Sequence, residues 1–298
     1  MSPPRSHMMK RRDLLIRMAA LFYAAPSFGG QSSAEAAPRL AAIDWGAAEA
    51  FIALGVAPVA ISDSEYFASR MPFDLPAGIA DIGPFWEINL EYLSRLAPDL
   101  ILAPASSLVM TPRIAEIAPV QIIPEELGVD RLDLAASLVT EMAKAAGLVP
   151  EAAPGLIDDA LTAIAAHRAD LAGKGQVLIA VPDVSGRLFT VYGRASLPDA
   201  VLDRLGLGNA WHGPVGPNGT FRTGIEPLLA LKDTTILLIE IASMRPRAER
   251  ALNQSALWQA LPAIRDGCFG WIEDFYPAGG LLSARHLADV IADRVRST

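Results

Sequence analysis

Two adjacent aromatic residues and a carboxylate stand out in the stretch DIGPFWEINLEYLSRLAPDLILA, residues 81–103. Phe85 and Trp86 follow a Gly-Pro turn, and Glu91 lies in the first turn of a predicted helix that starts near Asn89. Loops at strand ends of α/β proteins carry ligand contacts, so the aromatic pair predicts an apolar binding wall. Glu91 also favours the helix dipole by about 0.3–1 kcal/mol. These residue types indicate recognition of a ligand or a partner.

Motifs for catalysis or direct metal binding are missing from the sequence. It contains no Gly-x-Ser-x-Gly elbow, no phosphate-binding loop and no His-Glu-x-x-His. Ser283 and His286 are neighbours in a helical pattern, but no third group orients them as nucleophile and base. His167, His212 and the single Cys268 are not spaced as metal ligands. We therefore expect no enzyme activity, no cofactor and no metal held by protein ligands.

The first 36 residues have the features of an export signal. Arg11 and Arg12 precede a weakly apolar run, and Ala34-Glu35-Ala36 fits a signal-peptidase site. The paired arginines favour the twin-arginine route, with an ordinary secretory signal as the alternative. The chain has a net charge of −8 and one cysteine, which argues against nucleic-acid binding and excludes an internal disulfide. We expect an exported protein, periplasmic in a host with two membranes.

Short apolar runs alternate with helical patterns along the rest of the chain, which is typical of an α/β fold. The predicted strands are residues 40–44, 56–62, 100–103, 120–123, 176–181, 188–192, 235–241 and 268–272. The predicted helices include residues 47–54, 90–96, 132–146 and 281–295.

One segment of the first half is repeated in the second half. NLEYLSRLAPDLIL aligns without gaps with GIEPLLALKDTTIL, so that Glu91 matches Glu226 and Ile101 matches Ile236. Upstream of each segment, a predicted helix ends in Leu-Gly. The repeat favours two similar lobes over one continuous sheet.

Between the repeats, residues 155–172 form a helical stripe bounded by prolines and by Lys174-Gly175. This pattern predicts a single long helix that joins the lobes and opposes wide closure, because it contains no internal Pro or Gly that would let it bend. The predicted organisation is therefore a signal peptide at 1–36, an N-terminal lobe at 37–149, a connecting helix at 150–174 and a C-terminal lobe at 175–298.

Several segments together resemble a known family, the binding proteins of bacterial ABC importers for ferric siderophores and cobalamin, of the helix-backbone class. The similar segments include AAIDWGAAEAFIALGVAPVAIS, RLFTVYGRASLPDAVLDRLGLGNAWHG, GIEPLLALKD and LLSARHLADVI. They span nearly all of residues 38–295 and are most similar to the ferric-hydroxamate binders of the family. The resemblance implies two α/β lobes with a shallow ligand cleft between them.

The resemblance also gives the two matched glutamates a role. In the family, an acidic residue at each position lies on the outer surface and meets arginines of the membrane permease. Glu91 and Glu226 are therefore expected to dock this chain, one in each lobe, on a permease with its ATPase; a monomer is also expected from the family. The residue-level alternative is that both are helix N-terminal acids that favour the dipole.

A ferric siderophore saturates its iron with its own oxygens, so the protein should supply aromatic walls and an arginine. The expected ligand contacts are Trp45, Phe85, Trp86, Tyr192, Phe221, Arg222, Trp271, Phe275 and Tyr276. At three positions the chain departs from the hydroxamate binders: Phe85 replaces an arginine, Ser106 and Ser107 lie near a tyrosine position, and Asn218 lies near a tryptophan position. Arg222 or Arg187 is a candidate for the replacement cation. Cobalamin or haem on the same fold is the alternative ligand.

Overall fold

The computed structural model describes residues 37–124 and 128–298. The expected export signal, residues 1–36, lies outside the described residues. Within the described residues, no helix combines the length and the apolar character needed to cross a membrane.

The first sheet has five parallel strands in the order β3-β2-β1-β4-β5. Its strands are β1 (Leu40–Ala42), β2 (Ala60–Ile61), β3 (Ala80–Asp81), β4 (Leu100–Pro104) and β5 (Val120–Ile123). Parallel neighbours need a crossover, and helices or longer loops supply it here. Because every strand runs in the same direction, all five carboxyl ends lie at one edge of the sheet.

The second sheet has the order β11-β10-β6-β7-β9, with the short β8 paired to β6. Its strands are β6 (Gln176–Pro182), β7 (Leu188–Tyr192), β8 (Gly208–Asn209), β9 (Thr220–Gly224), β10 (Thr234–Glu240) and β11 (Phe269–Glu273). The strands β6, β10 and β11 are parallel, whereas β7 is antiparallel to both β6 and β9. This sheet is therefore mixed.

The sequence repeat corresponds to a repeat in the structure. In the first sheet, Ile101 of β4 lies in register between Ala41 of β1 and a residue of β5. In the second sheet, the matching residue Ile236 of β10 lies in register between Leu178 of β6 and Phe269 of β11. The two-lobed α/β fold that the repeat predicted is confirmed.

The helices fill the crossovers and the layer between the sheets. They are α1 (Trp45–Ala53), α2 (Ser64–Arg70), α3 (Leu90–Leu96), α4 (Ala105–Met110), α5 (Arg131–Ala145), α6 (Ala152–Ala165), α7 (Leu197–Leu205), α8 (Arg245–Gln254), α9 (Ala256–Gln259), α10 (Pro262–Arg265) and α11 (Leu281–Ser297). Two 3-10 helices cover Pro112–Glu116 and Glu226–Ala230.

Along the chain, α5 and α6 both lie between the two sheets. The helix α6, Ala152–Ala165, begins and ends earlier than the predicted 155–172, and Pro154 and Gly155 lie in its first turn. After Ala165 the backbone bonds tighten, since Arg168 N donates to Ala165 O three residues earlier. Turns then continue to Gly173 and Gly175, both with positive φ. Left-handed glycines end helices, so the segment after Ala165 is a tightly turned exit rather than more α-helix.

The two lobes share one apolar core. Alternate residues of each sheet face a central helical layer, as Leu40 of β1 and Val177 of β6 both do. This layer is built from α1, α5, α6, α7 and α11, and Ile164 of α6 is fully buried in it. The opposite sheet faces have separate cores, one on the first sheet around Ile101 and one on the second around Leu238. The lobes are therefore joined by a packed helical layer.

Candidate functional site

A cleft of about 850 Å³ is lined by residues of both lobes. From the first lobe, it takes residues that follow or end each of the five parallel strands, such as Ser62 after β2 and Pro104 at the end of β4. From the second lobe, it takes Tyr192, which ends β7, and the segment after β11. Ligand sites of open α/β sheets lie at the carboxyl ends of strands, and this cleft has that position.

Three aromatic rings from both lobes form the wall of the cleft. Trp45 begins α1, and its ring centroid lies 5.4 Å from that of Tyr66 on α2 and 5.1 Å from that of Tyr276. The Trp45 indole Nε1 donates a hydrogen bond to the Ser62 carbonyl at 2.8 Å, which fixes the ring on the first lobe. Edge-to-face and tilted contacts of this kind favour a defined ring geometry. The wall therefore offers apolar faces that are already oriented.

Phe85 and Trp86 lie at the rim of the same cleft. Their centroids are 4.8 Å apart, and the side chains are 43% and 56% exposed. They follow β3, and the Asp81 carboxylate anchors this loop by accepting hydrogen bonds from Gly83 N and Ser64 N, both at 2.7 Å. The aromatic pair thus lies on a strand-end loop, as its sequence position predicted, with ample ring surface left for contact.

The charged residues that line the cleft are mostly acidic. Within the described residues they are the carboxylates of Asp44, Asp63 and Glu141 and one guanidinium, that of Arg131. Glu141 is paired with Lys144 at 2.8 Å. Arg187 and Arg222, the two candidates for a replacement cation, do not line the cleft, whereas Arg131 at the start of α5 does.

Two tyrosines of the cleft, Tyr192 and Tyr276, stay protonated at any physiological pH. Burial, helped by the nearby Asp274 carboxylate and opposed by Arg70, raises the pKa of Tyr192 to about 12. Burial also raises the pKa of Tyr276, with smaller contributions from the carboxylates of Asp44 and Glu49. Both hydroxyls are thus neutral hydrogen-bond donors and acceptors for a ligand.

Of the nine expected ligand contacts, the structure brings five together. Those that line the cleft are Trp45, Phe85, Trp86, Tyr192 and Tyr276.

The other four lie elsewhere. Phe221 stacks on Trp211 with centroids 5.9 Å apart, and Arg222 is exposed beside it on β9. Trp271 on β11 lies under the Arg245 guanidinium, and the guanidinium carbon is 5.2 Å from the centroid of the Trp271 ring. Phe275 is only 4% exposed and packs in the shared core.

The three positions at which the chain departs from the hydroxamate binders all involve cleft residues: Phe85, Ser106 and Asn218 line it. Sequence reasoning missed Tyr66 and Arg131. Tyr66 is 50% exposed in the first turns of α2, immediately after the strand end at Ser62. Its place after a strand end was the available signal. Arg131 had no comparable signal, because nothing in its local sequence distinguishes it from a solvated helix residue.

Glu91 and Glu226 occupy matching exposed sites outside the cleft. Glu91 is in the first turn of α3, which leads into β4, and Glu226 begins the 3-10 helix that leads into β10. Within the part of the chain that the structure describes, neither forms an ion pair. Likewise, no group of three or more His, Cys, Asp or Glu there could hold a metal ion.

Comparison with known proteins supports the same family. No family model matches the chain. It is 28% identical over 297 residues to the iron(3+)-hydroxamate-binding protein FhuD of Escherichia coli, covering 97% of each chain. The resemblance read from the sequence segments is confirmed by this relative.

Solved structures agree on the fold. The siderophore binding protein FhuD of Vibrio cholerae, bound to ferric Desferal, matches with a TM-score of 0.77 and 23% identity, over 87% of this chain and 98% of that one. A FhuD-fold periplasmic binding protein of Bacillus subtilis, a component of a ferrichrome ABC transporter, matches with a TM-score of 0.68 and 17% identity, over 87% and 97%. The chain therefore shares the two-lobed fold of these binding proteins.

Proposed function

We propose that this chain is an extracytoplasmic substrate-binding protein that captures a ferric siderophore of the hydroxamate type and delivers it to an ABC permease for iron uptake. The observation that carries the proposal is the aromatic cleft between the lobes, together with similarity to a hydroxamate-binding protein along almost the whole chain. A preformed chelate needs apolar walls and a few polar contacts, and the cleft offers both.

The charges of the cleft favour hydroxamates over other iron chelators. Ferric hydroxamate centres are electrically neutral, whereas ferric catecholate centres are strongly anionic. The lining carboxylates of Asp44 and Asp63 oppose an anionic ligand, and only Arg131, within the described residues, favours one. Charge complementarity sets specificity by penalising the wrong partner, so the acidic cleft disfavours catecholates and the propionates of haem.

The contacts proposed for the ligand are the rings of Trp45, Phe85, Trp86, Tyr192 and Tyr276. Tyr66 and Arg131 join them because they line the same space. The guanidinium of Arg131 supplies donors for chelate oxygens, and the neutral hydroxyls of Tyr192 and Tyr276 supply more. In this arrangement the iron itself contacts no protein atom.

Tryptophan fluorescence tests the binding proposal. Two of the five tryptophans, Trp45 and Trp86, line the cleft, whereas Trp258 is buried in the outer core of the second lobe. We expect ferric desferrioxamine to quench the tryptophan fluorescence of the protein comprising residues 37–298 in a saturable manner. Ferric salts alone should have no effect. Trp45→Phe and Trp86→Phe should each reduce the quenching, and the matched control Trp258→Phe should preserve it.

A ligand panel decides between chemical classes. Hydroxamate, catecholate and carboxylate chelates, cobalamin and haem would be titrated under the same conditions, and the recovered ligand would be analysed for chemical change. No saturable signal from any of them would contradict a binding protein of this class. Tight binding of haem or cobalamin alone would replace the hydroxamate assignment, and a chemically altered ligand would indicate an enzyme.

The docking role of Glu91 and Glu226 is part of the proposal. Each is exposed on the helical turn that precedes an interior strand of its own lobe, so the pair would present one carboxylate per lobe to a permease with two-fold symmetry. We expect Glu91→Ala with Glu226→Ala to abolish growth on the ferric chelate as sole iron source while the Kd stays unchanged. The control pair Glu116→Ala with Asp266→Ala removes one exposed carboxylate per lobe elsewhere. Normal import by the Glu91/Glu226 variant would contradict the docking role.

A further inference from the structure

Residues 274–280 form the segment that brings Tyr276 into the cleft, and we call this segment the strap. It follows β11 of the second sheet and leads into α11, yet it lies against the first lobe. The Tyr276 ring contacts Trp45, and residues 277–280 line the cleft together with Gly46. A Cβ added to Gly46 would lie 3.9 Å from the Ala278 carbonyl, so the strap is within van der Waals range of α1.

One end of the strap is held by Arg70 at the end of α2. Its Nη2 donates to the Phe275 carbonyl at 2.5 Å and pairs with the Asp274 carboxylate at 3.2 Å. Its Nη1 donates to the Tyr66 hydroxyl at 2.8 Å, and the guanidinium lies 5.6 Å from the centroid of the Tyr66 ring. A single side chain thus connects a cleft ring of the first lobe to the strap of the second.

The ion pair within this contact is partly shielded from water. The side chains of Arg70 and Asp274 are 19% and 28% exposed. Burial raises the pKa of Asp274, and the Arg70 guanidinium opposes that rise. Pairs shielded to this degree are screened less by salt than surface pairs, and breaking one side leaves a charge without its partner.

The other end of the strap is held by Glu49 of α1, which is 1% exposed. Its Oε2 accepts hydrogen bonds from Gly280 N at 2.7 Å and from the Ser283 hydroxyl at 2.8 Å, and its Oε1 accepts one from Ser283 N at 2.8 Å. These donors belong to the first turn of α11 and the residue before it, where backbone N–H groups have no partner within the helix. A buried first-lobe carboxylate therefore caps the helix that follows the strap.

We propose that Arg70 and Glu49 are positioning residues for the ligand, which hold the strap at both ends so that Tyr276 stays against Trp45 before any ligand arrives. The inference rests on the proposed function, because it assigns these residues to that same cleft. Neither needs to touch the ligand. Pre-organisation of this kind improves affinity because the ring does not have to be ordered on binding.

The first anchor, the contact of Arg70 with the strap, is tested with ferric desferrioxamine as the probe and with three variants: Arg70→Gln, Arg70→Lys and Asp274→Asn. We expect Arg70→Gln to raise the Kd about tenfold, the scale at which coupled residues away from a ligand act. Arg70→Lys should recover part of the affinity, because it keeps the charge beside Asp274 but lacks the planar fork. The control Arg113→Gln breaks an exposed ion pair in the same lobe and should leave the Kd unchanged.

A double-mutant cycle separates positioning from general stability. If Arg70 acts through the ring, its effect on the Kd should largely disappear in a Tyr276→Ala background, since the positioned group is gone. Additive effects of the two changes, or an unchanged Kd for Arg70→Gln, would overturn the proposal. All titrations would be run at a temperature at which every variant is fully folded.

Hydrogen exchange of the ligand-free protein tests the anchors without any ligand, so the outcome does not depend on the proposed function. Arg70→Gln should speed amide exchange in residues 275–279, and Glu49→Gln should speed it at Gly280 and Ser283, while the strands β1 and β4 keep their protection. Unchanged exchange in the strap would overturn the inference even if siderophores bind. Failure of the wild-type chain to bind any chelate, with the expected exchange, would overturn only the siderophore role.

Discussion

At the scale of single residues, Asp81 organises the part of the cleft that carries the exposed rings. Its two oxygens accept hydrogen bonds from Gly83 N, Ser64 N and the Ser64 hydroxyl. These contacts link the loop of Phe85 and Trp86 to the start of α2, which carries Tyr66. Burial alone would raise the pKa of Asp81, but the hydrogen bonds from Gly83 and Ser64 outweigh it and lower the pKa.

This lowered pKa predicts how stability depends on pH. A carboxyl whose pKa is lower in the folded state stabilises that state above its unfolded pKa of 3.8 and loses the effect as pH falls through the folded value. We expect Asp81→Asn to reduce the free energy of unfolding by about 1 kcal/mol at pH 7. The difference from wild type should shrink as the pH falls below 3.8.

Urea unfolding at a series of pH values measures this difference. The control is Asp158→Asn, a change at an exposed position in the middle of α6, which should leave the free energy of unfolding unchanged across the pH series. A stability loss for Asp81→Asn that stays constant across the series would show that the charge of Asp81 is not responsible.

The ligand residues show what sequence could and could not predict at this scale. The aromatic residues could be chosen from the sequence, and Trp45, Phe85, Trp86, Tyr192 and Tyr276 do line the cleft. The direction of each side chain could not be predicted, because adjacent residues of extended backbone point to opposite sides. Thr220 lines the cleft while Phe221 stacks on Trp211, and Tyr276 lines it while Phe275 enters the core. A shift of one residue in register would exchange these roles.

At the scale of elements, a tight turn before β9 places two polar cleft residues, Asn218 and Thr220. Gly216 N donates to Thr220 O at 2.8 Å, and Gly219 N donates to Gly216 O at 3.0 Å. Gly219 has φ +72, and a Cβ there would lie 2.4 Å from Ser196 N. Only glycine fits both the backbone angle and the close approach to the start of α7.

Gly219→Ala should therefore damage stability and ligand binding together. We expect a loss of about 2 kcal/mol or more in the free energy of unfolding, from a left-handed conformation and a backbone clash. The Kd should rise as well, because Asn218 and Thr220 flank the substituted residue. Thermal unfolding and titration with the ferric chelate measure the two effects.

Gly216→Ala is the matched control in the same turn. A Cβ at Gly216 would meet only the Thr220 carbonyl, at 3.4 Å, and its φ is not in the left-handed region. It should be tolerated in both measurements. Equal effects of the two substitutions would mean that the turn is sensitive to any side chain rather than to the geometry of Gly219.

Elements with strong periodicity were predicted with nearly the observed bounds. The strands β5 and β7 and the helix α3 begin and end where the apolar pattern does. The strands β3, β8 and β9 were missed. The first two have only two residues each, and β9 is a largely exposed edge strand, TFRTG, without an apolar run. Such strands exist because a neighbouring strand offers hydrogen bonds, which is information that local sequence does not contain.

At the scale of the whole molecule, the shared helical layer makes the lobes interdependent. The chain crosses between the sheets through α6, but α11 packs on α6 and α7 and also contacts α1 and α5 of the first lobe. A single linking helix would still permit small rocking motions of the lobes, whereas a packed layer resists them, since close-packed interiors deform little. We therefore expect the core beneath the cleft to oppose changes in the width of the cleft.

This architecture predicts one cooperative unfolding transition for residues 37–298. Ile101 lies in the outer core of the first sheet, Leu238 in that of the second and Ile164 in the shared layer, and all three are buried. Truncation of each to alanine leaves a cavity that destabilises by about 2–5 kcal/mol. We expect all three variants to shift the same single calorimetric peak, with equal calorimetric and van't Hoff enthalpies.

Ligand binding should move that same peak. A chelate present at a hundred times its Kd adds about 2.7 kcal/mol to the stability of the folded state, because it binds only the assembled cleft. Independent lobes would unfold in two calorimetric peaks. Ile101→Ala would then shift one peak and Leu238→Ala the other, and the chelate would not displace a single transition. Two separable peaks in the unliganded wild-type protein would show that the layer of α1, α5, α6, α7 and α11 does not unite the lobes.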